Sequence, residues 1–239
     1  GVGVDAIDLA AARAGGIKVS NTPDILTEAV ADLGLALLLA VTRRIPAGDA
    51  LVRSGNWKSA GLPLTTQIGG KTLGILGLGR IGLAVAKRAE ACGMTIAYCN
   101  TSPRQDTRYA YHRTVGDLAA AADVLMITAA ATASTRSIVD AGVLAALGPE
   151  GYLINIARGS LVDEEALIAA LRQGTIAGAG LDVFVNEPAI DERFFTLANA
   201  VLLPHVGSAT NETRAAMGQL VRDNLAAHFA GKPLLTPVA

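Results

Sequence analysis

Aromatic side chains are scarce in this chain, at 4% of 239 residues. The core must therefore come from Ala, Leu, Val and Ile, with Gly allowing close approach, a composition suited to helices on a buried parallel sheet. Cysteine is nearly absent. Cys92 and Cys99 show no metal-ligand spacing; the first falls in a helical pattern and the second near a strand end, so two reduced thiols are expected. Net charge is only −1 with no basic block, which removes nucleic acid and anionic membranes from the expected partners. No long apolar run is present: Leu33 to Val41 is interrupted by Gly34 and falls far short of the ~20 residues a membrane span needs. The opening GVGVDAIDL lacks a basic n-region and the shape of a signal peptide. These features lead to the expectation of a soluble, cytoplasmic protein. A hydrophobic content of 51% against 17% charge excludes a disordered chain.

What is present is a rhythm. From residue 71 onward, KTLGILG, MTIAYC, DVLMITAA, YLINIA, IAGAGLDVF and AVLLP read as strands. Between several of them lie segments of helical period, such as RIGLAVAKRAEACG and VDEEALIAALRQG, the latter with Asp163 as N-cap and Gly174 closing it. Such alternation predicts an α/β fold with a Rossmann-type doubly wound parallel sheet. The ends depart from it. GIKVSN reads as a strand near the start, Pro23 and Asp24 open an apolar helix from about Ile25 to Arg43, and Thr210 to Ala230 reads as one long helix. The apolar surface of the first long helix covers more than one face, so part of it is expected to meet a partner subunit. The expected architecture is a central nucleotide-binding domain, with the two chain ends packed together as a second unit.

GLGRIG (77–82) follows a strand and starts a helix, the context in which such a loop binds a dinucleotide. Gly77 permits the tight turn, Gly79 lets the backbone approach the pyrophosphate, and Gly82 lets helix and strand pack closely. Arg80 and Ile81 belong to the first helical turn, whose free N–H groups meet the pyrophosphate. An NAD site closes the next strand with Asp or Glu, to accept from the ribose 2′-hydroxyl. Here that strand runs into TIAYCNTSPR, which offers Asn100, Thr101, Ser102 and Arg104 instead. The repulsion toward a 2′-phosphate is gone, and the amide, hydroxyl and guanidinium can each donate to one. NADP(H) is the expected cofactor, ahead of NAD(H). Because cells keep NADPH reduced, the expected direction is reduction.

Further polar residues appear where strands should end. NIARG places Arg158 after a strand, LDVFVNEP places Asp182 in one and Glu187 beyond it, and LLPHVGSAT places His205 after the last. In open parallel sheets, ligands bind outside the carboxyl ends of the strands. A cation, a carboxylate and an imidazole are thus expected on one rim, although each alone has an ordinary structural explanation.

GxGxD at the start, GLGRIG, NIARGSLVDEEAL, GLDVFVNEP and LLPHVGSAT together resemble the D-isomer-specific 2-hydroxyacid dehydrogenase family, in family order from residue 1 to about residue 220. The resemblance implies an active site of Arg158, Glu187 and His205 acting on a small 2-keto acid. Arg158 would hold the substrate carboxylate, His205 would protonate the carbonyl oxygen as C2 receives hydride, and Glu187 would support the imidazolium. It further implies substrate contacts from the backbone of Val2 and Gly3, and cofactor contacts from Ile156, Ala157, Asp182 and Gly207. A homodimer is also implied. Within the family, the 100–104 loop is similar to that of NADPH-dependent glyoxylate/hydroxypyruvate and hydroxyphenylpyruvate reductases, although those commonly carry Arg where this chain has Thr101. The implied fold pairs residues 23–205, a dinucleotide-binding domain, with a flavodoxin-like substrate domain. That second domain is represented by residues 1–22 and 206–239, so the chain is expected to be truncated at its N-terminus. Two other readings stand beside a glyoxylate-type reductase: a reductase of aryl pyruvates, and an NAD(P)-sensing corepressor-like protein of the same fold. A formate dehydrogenase-like activity is disfavoured, because that subgroup places Gln where Glu187 stands.

Overall fold

The computed structural model describes residues 1–238. One sheet carries seven strands: β1 (Thr72–Leu76), β2 (Thr95–Cys99), β3 (Ala110–His112), β4 (Val124–Ile127), β5 (Tyr152–Asn155), β6 (Gly178–Leu181) and β7 (Ala200–Leu202). Every pairing is parallel, in the order β3-β2-β1-β4-β5-β6-β7. The helices are α1 (Leu9–Ala14), α2 (Thr27–Thr42), α3 (Ile45–Arg53), α4 (Arg80–Ala91), α5 (Val115–Ala120), α6 (Ala141–Leu147), α7 (Glu164–Gln173) and α8 (Asn211–Phe229). The doubly wound sheet expected from the sequence is present. From β1 the chain moves outward through β2 and β3, then returns to β4 on the other side of β1. A crevice opens at the carboxyl ends of the strands at such a switch point.

The alternation of strand side chains builds two cores. Val124 and Met126 of β4 face one side, and Leu125 and Ile127 the other. The first pair joins Leu37 and Leu38 of α2 and Val85 and Ala86 of α4. The second joins Leu118, Leu144 and Leu167 of α5, α6 and α7. All four β4 side chains are fully buried, each contributing roughly 1.5–3 kcal/mol relative to exposure. Local signals set the helix ends. The Asp163 carboxylate accepts from the Ala166 N–H at the start of α7, and Gly174 ends it in the left-handed region at φ 71°. Among the described residues, no helix is long and apolar enough to cross a membrane.

Two sequence expectations need correction, and one strand went unexpected. GIKVSN is not a strand: Ser20 makes one isolated bridge to Pro237, and Ile17 is 62% exposed. The run has strand-like residues, but only residues 236–238 take up its backbone groups, too few to form a strand. The first long helix begins at Thr27, because Pro23 to Leu26 form a turn in which Asp24 has φ 68° and pairs with Arg80 at 2.8 Å. The edge strand β3 escaped sequence reading, being three residues long and only partly buried. The chain ends do meet: Val238 N–H donates to Val19 O at 2.8 Å, and the Thr236 hydroxyl to Asn21 O at 2.6 Å. Cys92 and Cys99 are free thiols.

Candidate active site

The glycine loop joins β1 to α4. Gly77 has φ 98°, and a Cβ on it would lie 2.5 Å from the Ala129 backbone. A Cβ on Gly82 would lie 2.6 Å from Gly77 O, so α4 packs against the loop only without one. Above Gly79 there is open space: nothing among the described residues stands within 4 Å of where its Cβ would be. The unpaired N–H groups of the first turn of α4 face this opening. An open cradle over bare backbone at a helix N-terminus fits a pyrophosphate.

The loop is held from two sides. The Thr128 hydroxyl donates to Gly77 O at 2.6 Å, and the Leu78 N–H donates to Asn100 Oδ1 at 2.7 Å. Asn100 thus braces the glycine loop with its carbonyl oxygen, and only its amide nitrogen remains for a ligand. Arg104 also reaches back, with Nη1 donating to Leu78 O at 3.1 Å, while its backbone N–H donates to the buried Tyr98 hydroxyl at 2.8 Å. Its Nε and Nη2 are paired with Asp106. Thr101 and Ser102 are exposed beside it. Arg80 opens α4, and its side chain pairs with Asp24 through Nε at 2.8 Å.

A cleft of about 430 Å³ lies beyond the glycine loop, lined among others by Val2, Gly3, Ile81, Arg158, Asp182 and His205. Ile156, Ala157 and Gly207 also line it. Arg158 enters just past β5 on a turn fixed by buried Asn155, which accepts from Ala157 N–H at 3.0 Å and donates to Arg158 O at 2.9 Å. The guanidinium is shared out before any ligand arrives. Nε meets both oxygens of Asp5 at 3.2 Å, and Nη1 donates to Ala157 O at 2.8 Å. Nη2 lies over Gly3, where a Cβ would come within 2.1 Å of it. The Nη ends are therefore what Arg158 can offer to an anion.

His205 follows β7 with φ 54°, and its Nδ1 lies 2.5 Å from Glu187 Oε2. The other Glu187 oxygen accepts from Phe184 N–H at 2.8 Å, so the carboxylate is fixed at both ends. Asp182 is 1% exposed and accepts from Val206 and Gly207 N–H, at 2.8 Å each. Burial pushes its carboxyl above the usual carboxylate range, against the pull of those two bonds. Its clearest structural task is to hold the turn that presents His205. Arg158 and His205 thus share one cleft, with Glu187 behind the imidazole, as the strand-end reading expected. Asp5, Asn155 and Thr128 were not assigned from sequence. Asp5 sits in the quoted GxGxD, but its partner is 153 residues away.

The family model described as "D-isomer specific 2-hydroxyacid dehydrogenase, NAD binding domain" matches residues 35–207. A glyoxylate/hydroxypyruvate reductase of Arabidopsis thaliana is 54% identical over 237 residues, covering 99% of this chain and 76% of that protein. A hydroxyphenylpyruvate reductase of Plectranthus scutellarioides is 53% identical, with the same coverage. The crystal structure of an NADPH-dependent glyoxylate/hydroxypyruvate reductase from Sinorhizobium meliloti, in complex with NADP and malonate, superposes with a TM-score of 0.96 at 51% identity. That match covers 100% of this chain and 76% of the other.

Proposed function

The chain belongs to the D-isomer-specific 2-hydroxyacid dehydrogenase family, and from that premise we propose that it reduces a small 2-keto acid of the glyoxylate or hydroxypyruvate type, with NADPH preferred over NADH. The observation that carries this reading is the meeting of Arg158 and Glu187-supported His205 around one cleft next to the glycine loop. A nicotinamide cofactor bound there supplies the hydride that C2 receives. The Nη groups of Arg158, with backbone N–H groups of Val2 and Gly3, take the substrate carboxylate. With Nδ1 held by Glu187, Nε2 of His205 is the nitrogen left to give a proton to the carbonyl oxygen as negative charge develops there. Glu187 stabilises the imidazolium and fixes the ring plane.

The preference for NADPH rests on the 100–104 loop, which presents Thr101, Ser102 and Arg104 and no carboxylate at the strand end itself. In this reading residues 23–205 are the cofactor domain, and residues 1–22 and 206–239 form one substrate-side unit, in keeping with the contacts between residues 19–21 and 236–238. It includes a cytoplasmic location, consistent with two free thiols. It also includes a homodimer, supported by exposed Trp57 and Leu64 beyond α3. Following absorbance at 340 nm with glyoxylate, hydroxypyruvate and phenylpyruvate, and each reduced cofactor, tests the reading. Failure of all three to be turned over contradicts it.

A second reading, reduction of aryl pyruvates, is favoured by an apolar hollow of about 290 Å³ beside His205, walled by Phe184, Ile190, Phe195 and Leu203. A kcat/KM for phenylpyruvate above that for glyoxylate would select it.

A further inference from the structure

We propose that Asp106 is a determinant of cofactor choice, tempering the affinity for the 2′-phosphate that Arg104 provides; this rests on the NADPH reading above. Arg104 carries five N–H donors. One from Nε and one from Nη2 go to the two oxygens of Asp106, and one from Nη1 goes to Leu78 O. Two donors, one on each Nη, have no protein partner among the described residues. They form the outer end of the guanidinium, which can take a phosphate with two parallel bonds while Asp106 stays in place.

The position of that outer end is not accidental. Leu78 O and the Tyr98 hydroxyl hold the side chain and backbone of Arg104 against the glycine loop. Asn100 ties the same Leu78 through its N–H. The pyrophosphate cradle and the 2′-phosphate loop are therefore one braced unit, to which Arg104 stays tied through Leu78 O and the Tyr98 hydroxyl as well as being paired with Asp106. What Asp106 adds is charge. Its carboxylate offsets the positive charge of Arg104 and bonds Nη2, one of the two nitrogens left for an incoming dianion, within the range at which like charges in water repel measurably. The pairing holds the Asp106 carboxyl below its usual range, so it stays charged at every pH at which the enzyme would work. NADH brings no 2′-phosphate and does not meet this repulsion.

Equilibrium titration of NADPH and NADH into wild-type protein and Asp106→Asn provides the test. The wild-type ratio of the two dissociation constants decides the NADPH reading on its own. For the variant, the expected result is NADPH binding tightened roughly threefold at low salt, with NADH shifted far less, and the gain shrinking as ionic strength rises. The KM for NADPH should fall in parallel. Unchanged or weaker NADPH binding in Asp106→Asn, or equal tightening of both cofactors, would overturn the proposal even where the wild type prefers NADPH.

Discussion

Asp5 and Arg158, 153 residues apart in the chain, are joined by Nε lying 3.2 Å from both oxygens of the carboxylate. The ion pair turns the guanidinium so that Nη2 lies over Gly3. Asp5 is thus a positioning residue for the anion clamp, and the start of the chain is tied to the loop after β5 through it.

Removing that partner should misplace the clamp without emptying it. Asp5→Ala is expected to raise the KM for the keto acid and lower kcat/KM roughly ten- to hundredfold, with the dissociation constant for NADPH nearly unchanged. Gly3→Ala should act alike, since its Cβ would displace Nη2 from 2.1 Å away. Steady-state kinetics beside cofactor titration checks both. Equal losses in cofactor binding would mean that the loop, and not the clamp, had been disturbed.

Asp182 makes a separate prediction about the catalytic turn. Asp182→Asn replaces one acceptor oxygen by an amide that donates, so either Val206 or Gly207 N–H is left facing a donor. The cost of that unsatisfied group is about 1–3 kcal/mol of stability, and kcat should fall with it as His205 loses its fixed turn. Thermal denaturation and kcat are the measurements. A variant with normal kcat would show that the turn holds without the carboxylate.

A pH-dependent effect is expected at the far end of the sheet. Burial acts to raise the carboxyl of Asp123, but the backbone N–H of Thr72 and the ammonium of Lys71 outweigh it, and the net direction is downward. A carboxyl lowered in the folded state contributes stability that is fully present above the ordinary carboxylate pKa of about 3.9 and is lost as pH falls through the lowered folded value. The melting temperature of wild type should therefore exceed that of Asp123→Asn at neutral pH, and the gap should close below about pH 4. A gap independent of pH would assign the effect to packing.

How much of this the sequence disclosed follows from what each feature depends on. Six of the seven strands were visible as apolar runs: five because strands buried on both faces must be apolar, and the partly buried edge strand β7 because its residues are themselves apolar. β3 was not, since its three residues, Ala110 to His112, are too short and too mixed to make an apolar run. GIKVSN had the composition of a strand, but its pairing is limited to one bridge with residues 236–238, and pairing is a tertiary fact. Arg158, Glu187 and His205 were legible because functional side-chain types stood where parallel strands end. Asp5 and Asp106 were not, because their roles lie in which cation they touch. Asn100 shows the same limit: its residue type suggests a phosphate donor through the amide nitrogen, while the brace its Oδ1 gives to Leu78 depends on the folded loop.

The most direct test of the account is His205→Gln, assayed for kcat with the best keto acid and for NADPH affinity. Loss of the proton donor predicts a fall in kcat of about a hundredfold or more, with cofactor affinity within about twofold of wild type. Turnover close to the wild-type rate would contradict the placement of the reaction at His205.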